Sequence, residues 1–142
     1  MIYEDTPKYD LWLKLILGGV LALTLILGII FIYQDSEVAL VMFGVTLFDA
    51  LLFKAILPRL FQIYQDRVRI ALGGPLAINI PFSNIQTVRT VSARKLFVYW
   101  GNRFATSAHS IVEIVPKKGL GWVISPANRD MFLEQLNQAL SQ

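Results

Sequence analysis

Two long apolar runs, 11–33 and 38–57, are separated only by the polar tetrapeptide Gln34-Asp35-Ser36-Glu37. A helix needs roughly 20 mostly apolar residues to cross the ~30 Å hydrocarbon layer of a bilayer, and both runs are near or above that length. The pattern reads as a transmembrane helical hairpin. The first run is too long for a signal-peptide core, and no small-residue cleavage site follows Tyr33 before the second begins, so it reads as a retained anchor. A buried hairpin in an all-helical soluble protein would need more wrapping material than the rest of a 142-residue chain supplies. The expected division is an N-terminal segment plus hairpin over 1–58 and one small domain over 59–142.

Orientation follows from the flanking cations, because Lys and Arg beside a span are retained on the cytoplasmic side. Lys8 and Lys14 flank the first run and Lys54, Arg59, Arg67 and Arg69 flank the end of the second, whereas the 34–37 turn has none. Both termini are therefore expected in the cytoplasm, with the membrane being either a plasma or an internal one. Charge is also uneven: residues 1–58 carry three Lys/Arg against six Asp/Glu, net −3, and residues 59–142 carry ten against four, net +6. A basic domain beside the cytoplasmic leaflet is drawn to anionic headgroups, by about 1 kcal/mol for each well-placed cation. The candidate lipid contacts are Arg59, Arg67, Arg69, Arg94, Lys95, Arg103, Lys117 and Lys118. With no Cys in the chain, disulfides and thiolate metal sites are excluded.

Beyond Pro58 the pattern changes to short apolar runs with turn punctuation. Strands are expected at 60–64, 68–72, 76–80, 85–91, 96–100, 110–115 and 122–125, with turns at Gln65-Asp66-Arg67, Gly73-Gly74-Pro75 and Pro116-Lys117-Lys118-Gly119-Leu120-Gly121. The end of the chain switches to helical period. Ser125 can cap a helix with Pro126 at its first position, and Phe132, Leu136, Ala139 and Leu140 then share one face. The result is a seven-stranded meander closed by an amphipathic C-terminal helix.

Two local phrases carry a resemblance. Ile80-Pro81-Phe82-Ser83-Asn84-Ile85 resembles an I-P-(F/Y)-x-x-I segment, and Ile124-Ser125-Pro126 followed by Phe132 and Leu136 resembles an I-S-P ending with F-x-x-x-L; both belong to bacterial pleckstrin-homology-like (PH-like) membrane proteins with an N-terminal two-helix hairpin. The similarity spans roughly 59–140. It implies an α+β membrane protein in which the hairpin precedes a PH-like seven-stranded open barrel, and it implies a binding-module class. Phe132, Leu136 and Leu140 then plug the open end of the barrel.

Catalytic chemistry is sparse. From residue 59 on there is one His, His109, and four carboxylates, Asp66, Glu113, Asp130 and Glu134. Asp130 and Glu134 have the spacing of a solvated helix face, Asp66 sits in a turn, and Glu113 is expected to point outward from a strand. Ser107, His109 and Ser110 lack any orienting acid that the sequence can identify. No Walker loop, dinucleotide fingerprint or metal-ligand cluster is present, so neither a cofactor nor a small-molecule substrate is expected. Phe97, Tyr99, Trp100 and Phe104, interleaved with Arg94, Lys95 and Arg103, could stack on nucleic acid, but tethering to a membrane favours aromatics that fill the barrel and line its membrane-facing rim.

Asp49 is the polar residue hardest to dismiss. It lies eight residues from Leu57, about 12 Å at a rise of ~1.5 Å per residue, and counting from Leu11 puts Gly18 and Gly19 at the same depth. Small residues there would let the helices approach, and Lys14 one turn below could reach the carboxylate. An intramembrane acid is a functional-site candidate by default, and a structural or assembly role is expected here, through a pair with Lys14, with Lys54 as a second candidate, or through a helix of another subunit. The function expected is a non-enzymatic membrane-anchored scaffold that binds a protein partner or assembles with itself; the alternatives are an accessory subunit using the hairpin as its interface, and an anionic-lipid-binding module.

Overall fold

The computed structural model describes residues 1–142, apart from the side chain of Phe97. Helices α1 (Leu11–Phe31) and α2 (Ser36–Ile56) are each 21 residues long and are apolar enough to cross a membrane. They start and stop for local reasons. Asp35 accepts hydrogen bonds from the N–H groups of Glu37 (3.0 Å) and Val38 (3.2 Å), which caps α2 at once after the turn. The two helices meet along a seam. A Cβ at Gly28 would lie 2.9 Å from the Phe43 ring, so glycine is what permits the close approach at that level. Near the middle of the helices the Thr46 hydroxyl donates to Thr24 Oγ1 (2.8 Å), and Thr24 donates to a carbonyl of its own helix.

The rest of the chain forms two sheets. Strands β1 (Tyr3–Asp5), β2 (Pro58–Ile63), β3 (Arg67–Leu72) and β4 (Ala77–Pro81) make an antiparallel sheet in that order. The second sheet has the order β5 (Ile85–Thr90), β7 (Val112–Pro116), β8 (Trp122–Ile124), β6 (Asn102–Phe104), with β6 parallel to β8. Alternation decides which faces turn inward. Phe61, Ile63, Val68, Ile70 and Ile80 from the first sheet meet Val112, Ile114 and Ile124 from the second, all fully buried. The sheets do not close into a barrel. Helix α4 (Arg129–Leu140) touches β1, β2 and β5, which belong to different sheets, and so covers the opening between them. Its buried stripe is Phe132, Leu136 and Ala139, with Leu140 packed against the cluster, as the helical period required.

Several sequence expectations need correction. The 96–100 segment is not a strand: α3 (Ala93–Val98) forms there, because Ala93, Arg94, Lys95 and Leu96 are good helix formers that follow a Ser at the N-cap position. Strands β1 and β6 were not expected, being three residues each and supported only by their neighbours. Eight strands in two sheets therefore replace a seven-stranded meander. Helix α4 is not capped by Ser125. The Ser125 side chain is fully buried and accepts from the Thr106 N–H (2.8 Å), while the backbone at Pro126 pairs with Pro7. The acceptor at the start of α4 comes from far away in sequence, because Asp5 Oδ2 takes the Asn128 N–H (2.8 Å). Glu113 does not point to solvent; it is buried and ion-paired with Arg89 (2.7 Å), its cross-strand neighbour.

Candidate functional site

The hairpin joins the sheets twice, and both joints are short. On the first, residues 5–10 run as a strap across the ends of β8 and the 105–110 loop. The Lys8 N–H donates to the Ser125 carbonyl (2.8 Å), the Thr106 hydroxyl donates to the Lys8 carbonyl (2.6 Å), and the Asp10 N–H donates to the Thr106 carbonyl (3.0 Å). The strap ends on the Asp10 carboxylate. Its Oδ1 accepts from the Ser107 hydroxyl (2.7 Å), its Oδ2 from the Ala108 N–H (2.8 Å) and the Trp12 indole N–H (3.3 Å), and His109 Nδ1 lies 3.3 Å away. Leu11 then opens α1.

Burial by itself would raise the Asp10 carboxyl, but hydrogen bonds led by the Ala108 N–H and the Ser107 hydroxyl outweigh it and hold the group below its ordinary value. A carboxyl depressed on folding adds stability above its unfolded pKa, and that stability is lost as pH falls through the folded pKa. Acidification from the ordinary aspartate range near about 4 downward is thus expected to loosen the strap. Thermal midpoints of the wild type and Asp10→Asn, measured against pH, should differ at neutral pH and converge in acid. Parallel curves would remove Asp10 as the clasp.

The second joint is the exit of α2. Leu57 leaves helical geometry, its carbonyl accepts the Gly73 N–H (3.1 Å), and the Tyr9 hydroxyl donates to the Pro58 carbonyl (2.6 Å). Burial pushes the Tyr9 phenol above its usual range. Gly73 lies so near the end of α2 that a Cβ there would overlap the Lys54 carbonyl oxygen. Between the two joints runs an open groove of about 570 Å³, lined among others by Tyr9, Phe53, Lys54, Leu57 and Arg59.

The residues singled out in the sequence are distributed differently from expectation. Lys14 and Asp49 form no ion pair among the described residues, and nothing lies within 4 Å of a Cβ built at Gly18 or Gly19. The helical register explains this. With Gly28 level with Phe43 and Thr24 with Thr46, Asp49 falls level with residues 21–22, seven or eight positions above Lys14, or about 11 Å at a rise of ~1.5 Å per residue. Asp49 is half-buried and lies three positions after Thr46, on the seam side of α2. The basic residues also separate. Arg59 lies in the groove beside Lys54, which was not counted as a lipid contact. Arg67, Lys117 and Lys118 sit at the far ends of their strands: the Asp66 carbonyl accepts from Phe82 N–H and the Asn84 carbonyl from Lys117 N–H, at the ends away from the Leu57–Gly73 contact. Arg69 lies on β3 opposite Asn79, and Arg94 and Lys95 are exposed on α3.

The aromatics of the α3 region do not all fill the interior. Tyr99 is wedged against Gly101 and Gly121, whose missing side chains make room for its ring, and burial and the Glu113 charge raise its phenol. Arg103 donates through Nη2 to the Tyr99 carbonyl (2.6 Å). Trp100 is 90% exposed and Val98 77% exposed, which leaves an uncovered apolar patch on this flank. The expectation for Phe97 lies outside the described side chains. His109 and Ser107 both bond to Asp10, and the bond between them runs from the His109 backbone N–H to the Ser107 hydroxyl (3.1 Å) and not from the ring, which makes the group a clasp and not a nucleophile–base pair. Asp10 and Asp5 were missed in the sequence, although an acid immediately before an apolar helix was a visible signal. No family model matches the chain, and no curated protein or solved structure matches it either.

Proposed function

We propose that this chain is a non-enzymatic, membrane-anchored PH-like module that assembles with a protein partner, or with a second copy, at the cytoplasmic face. The exposed Val98–Trp100 patch carries the reading. Large apolar groups left in water on a rigid support mark interaction surfaces more often than they occur by chance, and here Tyr99, its two glycines and Arg103 hold the segment in place. The absence of basic residues from the turn between α1 and α2 supports cytoplasmic termini. The PH-like identity rests on the motif resemblance and on a C-terminal helix that covers the gap between two sheets.

The two joints give the reading a second support. A domain on a loose tether samples many orientations, whereas strap and exit fix this one against the hairpin, so a partner bound at the patch would be held at one height and angle above the membrane. The test is a native gel of the full-length chain taken up in mild detergent. Wild type is expected to migrate above the detergent-bound monomer, and Val98→Ser with Trp100→Ser should shift it to the monomer without lowering the thermal midpoint. A migration unchanged by the double substitution would remove the patch as the interface. A chain that stays in the supernatant without detergent would remove the anchor.

A further inference from the structure

We infer that the groove between the two joints is a binding site for the headgroup of an anionic phospholipid. The inference rests on the membrane-anchor reading above and adds a ligand to it. Position is the first argument. Phe53 and Lys54 belong to the last turn of α2, Tyr9 directly precedes Asp10 and α1, and Arg59 is the second residue of β2, so in an inserted hairpin this groove opens at the level of the headgroups.

Charge is the second. Lys54 and Arg59 both line the groove, both are exposed, neither takes part in an ion pair among the described residues, and no acid lines the groove with them. A guanidinium can take two phosphate oxygens at once and an ammonium supplies a mobile point charge, which together suit a phosphodiester. Lys54 is also placed where a cation is favoured, in the last turn of a helix whose C-terminal carbonyls carry partial negative charge.

Shape is the third. The lining also holds apolar side chains, Phe53 and Leu57, at the end of α2, so an acyl chain can descend along α2 while the phosphate meets the cations. The groove also bridges strap and exit. A lipid seated there would touch Tyr9 from one joint and Leu57 from the other, and would stabilise the docked arrangement by mass action.

Native mass spectrometry of the full-length chain released from detergent, titrated with phosphatidylglycerol or phosphatidylcholine, tests this. Wild type should retain one phosphatidylglycerol in preference to phosphatidylcholine, and Lys54→Gln with Arg59→Gln should weaken that retention roughly 30-fold, which corresponds to about 1 kcal/mol for each cation. Arg67→Gln with Lys118→Gln removes the same charge at the far end of the strands and should leave retention unchanged. Equal losses in the two double variants, equal retention of the two lipids, or displacement of the adduct by millimolar inorganic phosphate alone would overturn the assignment. Because Lys54 and Arg59 are exposed, the thermal midpoint of the double variant in lipid-free detergent should stay within a few degrees of wild type, the small loss coming from the Lys54 charge at the helix end. These outcomes are independent of the native-gel migration that tests the Val98–Trp100 patch.

Discussion

Phe132→Ala is expected to cost about 3–5 kcal/mol, a large share of the about 5–15 kcal/mol that holds a domain of this size together. Phe132 is fully buried, and its ring meets those of Tyr3 and Phe61 edge-on, with centroids 6.3 and 6.4 Å away. Truncation would remove the contact that ties α4 to both β1 and β2, leaving a cavity that a helix crossing two sheets cannot collapse to fill. Leu136→Ala, one turn on and equally buried, should cost about 2–5 kcal/mol for the same reason. The measurement is thermal unfolding of the full chain in detergent, followed by tryptophan fluorescence, because helical signal from the hairpin would mask loss of the sheets. The midpoint should fall by on the order of 10 °C or more. An unchanged midpoint would show that α4 does not close the core. The full chain matters here: a fragment beginning at Arg59 lacks Tyr3, and also Asp5, which takes the N–H of Asn128 just before the helix.

Gly73→Ala is expected to undock the hairpin from the first sheet. The added methyl would occupy the position of the Lys54 carbonyl oxygen, with the Lys54 carbonyl carbon at 2.9 Å, and both are backbone atoms of a helix that cannot swing aside as a side chain can. Relief requires the β3–β4 turn to move away from α2, which breaks the bond from the Gly73 N–H to the Leu57 carbonyl and opens the groove. Overpacking of this kind costs about 1–3 kcal/mol, and here the loss of that bond adds to it. Gly74→Ala is the control. Its Cβ would meet Ala55 Cα at 3.9 Å, an ordinary contact, and neither glycine has a positive φ, so any difference between the two variants reports packing and not backbone strain. Gly73→Ala should lower the thermal midpoint and speed proteolysis near Pro58, and Gly74→Ala should leave both near wild type. Equal behaviour of the two would mean that the exit joint bears no weight.

Sequence pattern by itself determined the long-range layout: two apolar helices, a region rich in strands, and an amphipathic helix at the end. These features repeat locally, as 20-residue apolarity, period-two alternation or a stripe at offsets of four and seven, and each is strong enough to need no distant partner. Phe132, Leu136 and Ala139 were legible as core because helical period and burial coincide there. The glycines Gly18 and Gly19, in contrast, were legible as small residues but not as contacts, since which small residue meets the other helix depends on which helix face forms the seam, and the close approach falls at Gly28 instead.

Tertiary structure alone decided how the hairpin and the sheets are joined. The segment that precedes α1 holds the edge strand of the first sheet, supplies the acceptor at the start of α4 through Asp5, and ends in a carboxylate tied to a loop almost a hundred residues away. None of this has a local signature, because a three-residue strand and a lone acid are stable only through the groups they meet. The burial of Glu113 and the exposure of Trp100 arose in the same way. Alternation put the first on an outer face and composition put the second among aromatics that fill the barrel or line its rim, but Arg89 and the 95–100 segment surround Glu113, and Tyr99, not Trp100, is the aromatic wedged against the two glycines. The pairing of Lys54 with Arg59 in one groove is of this kind too: five positions apart across a helix end, they share a site only because α2 stops at Ile56 and β2 starts at Pro58.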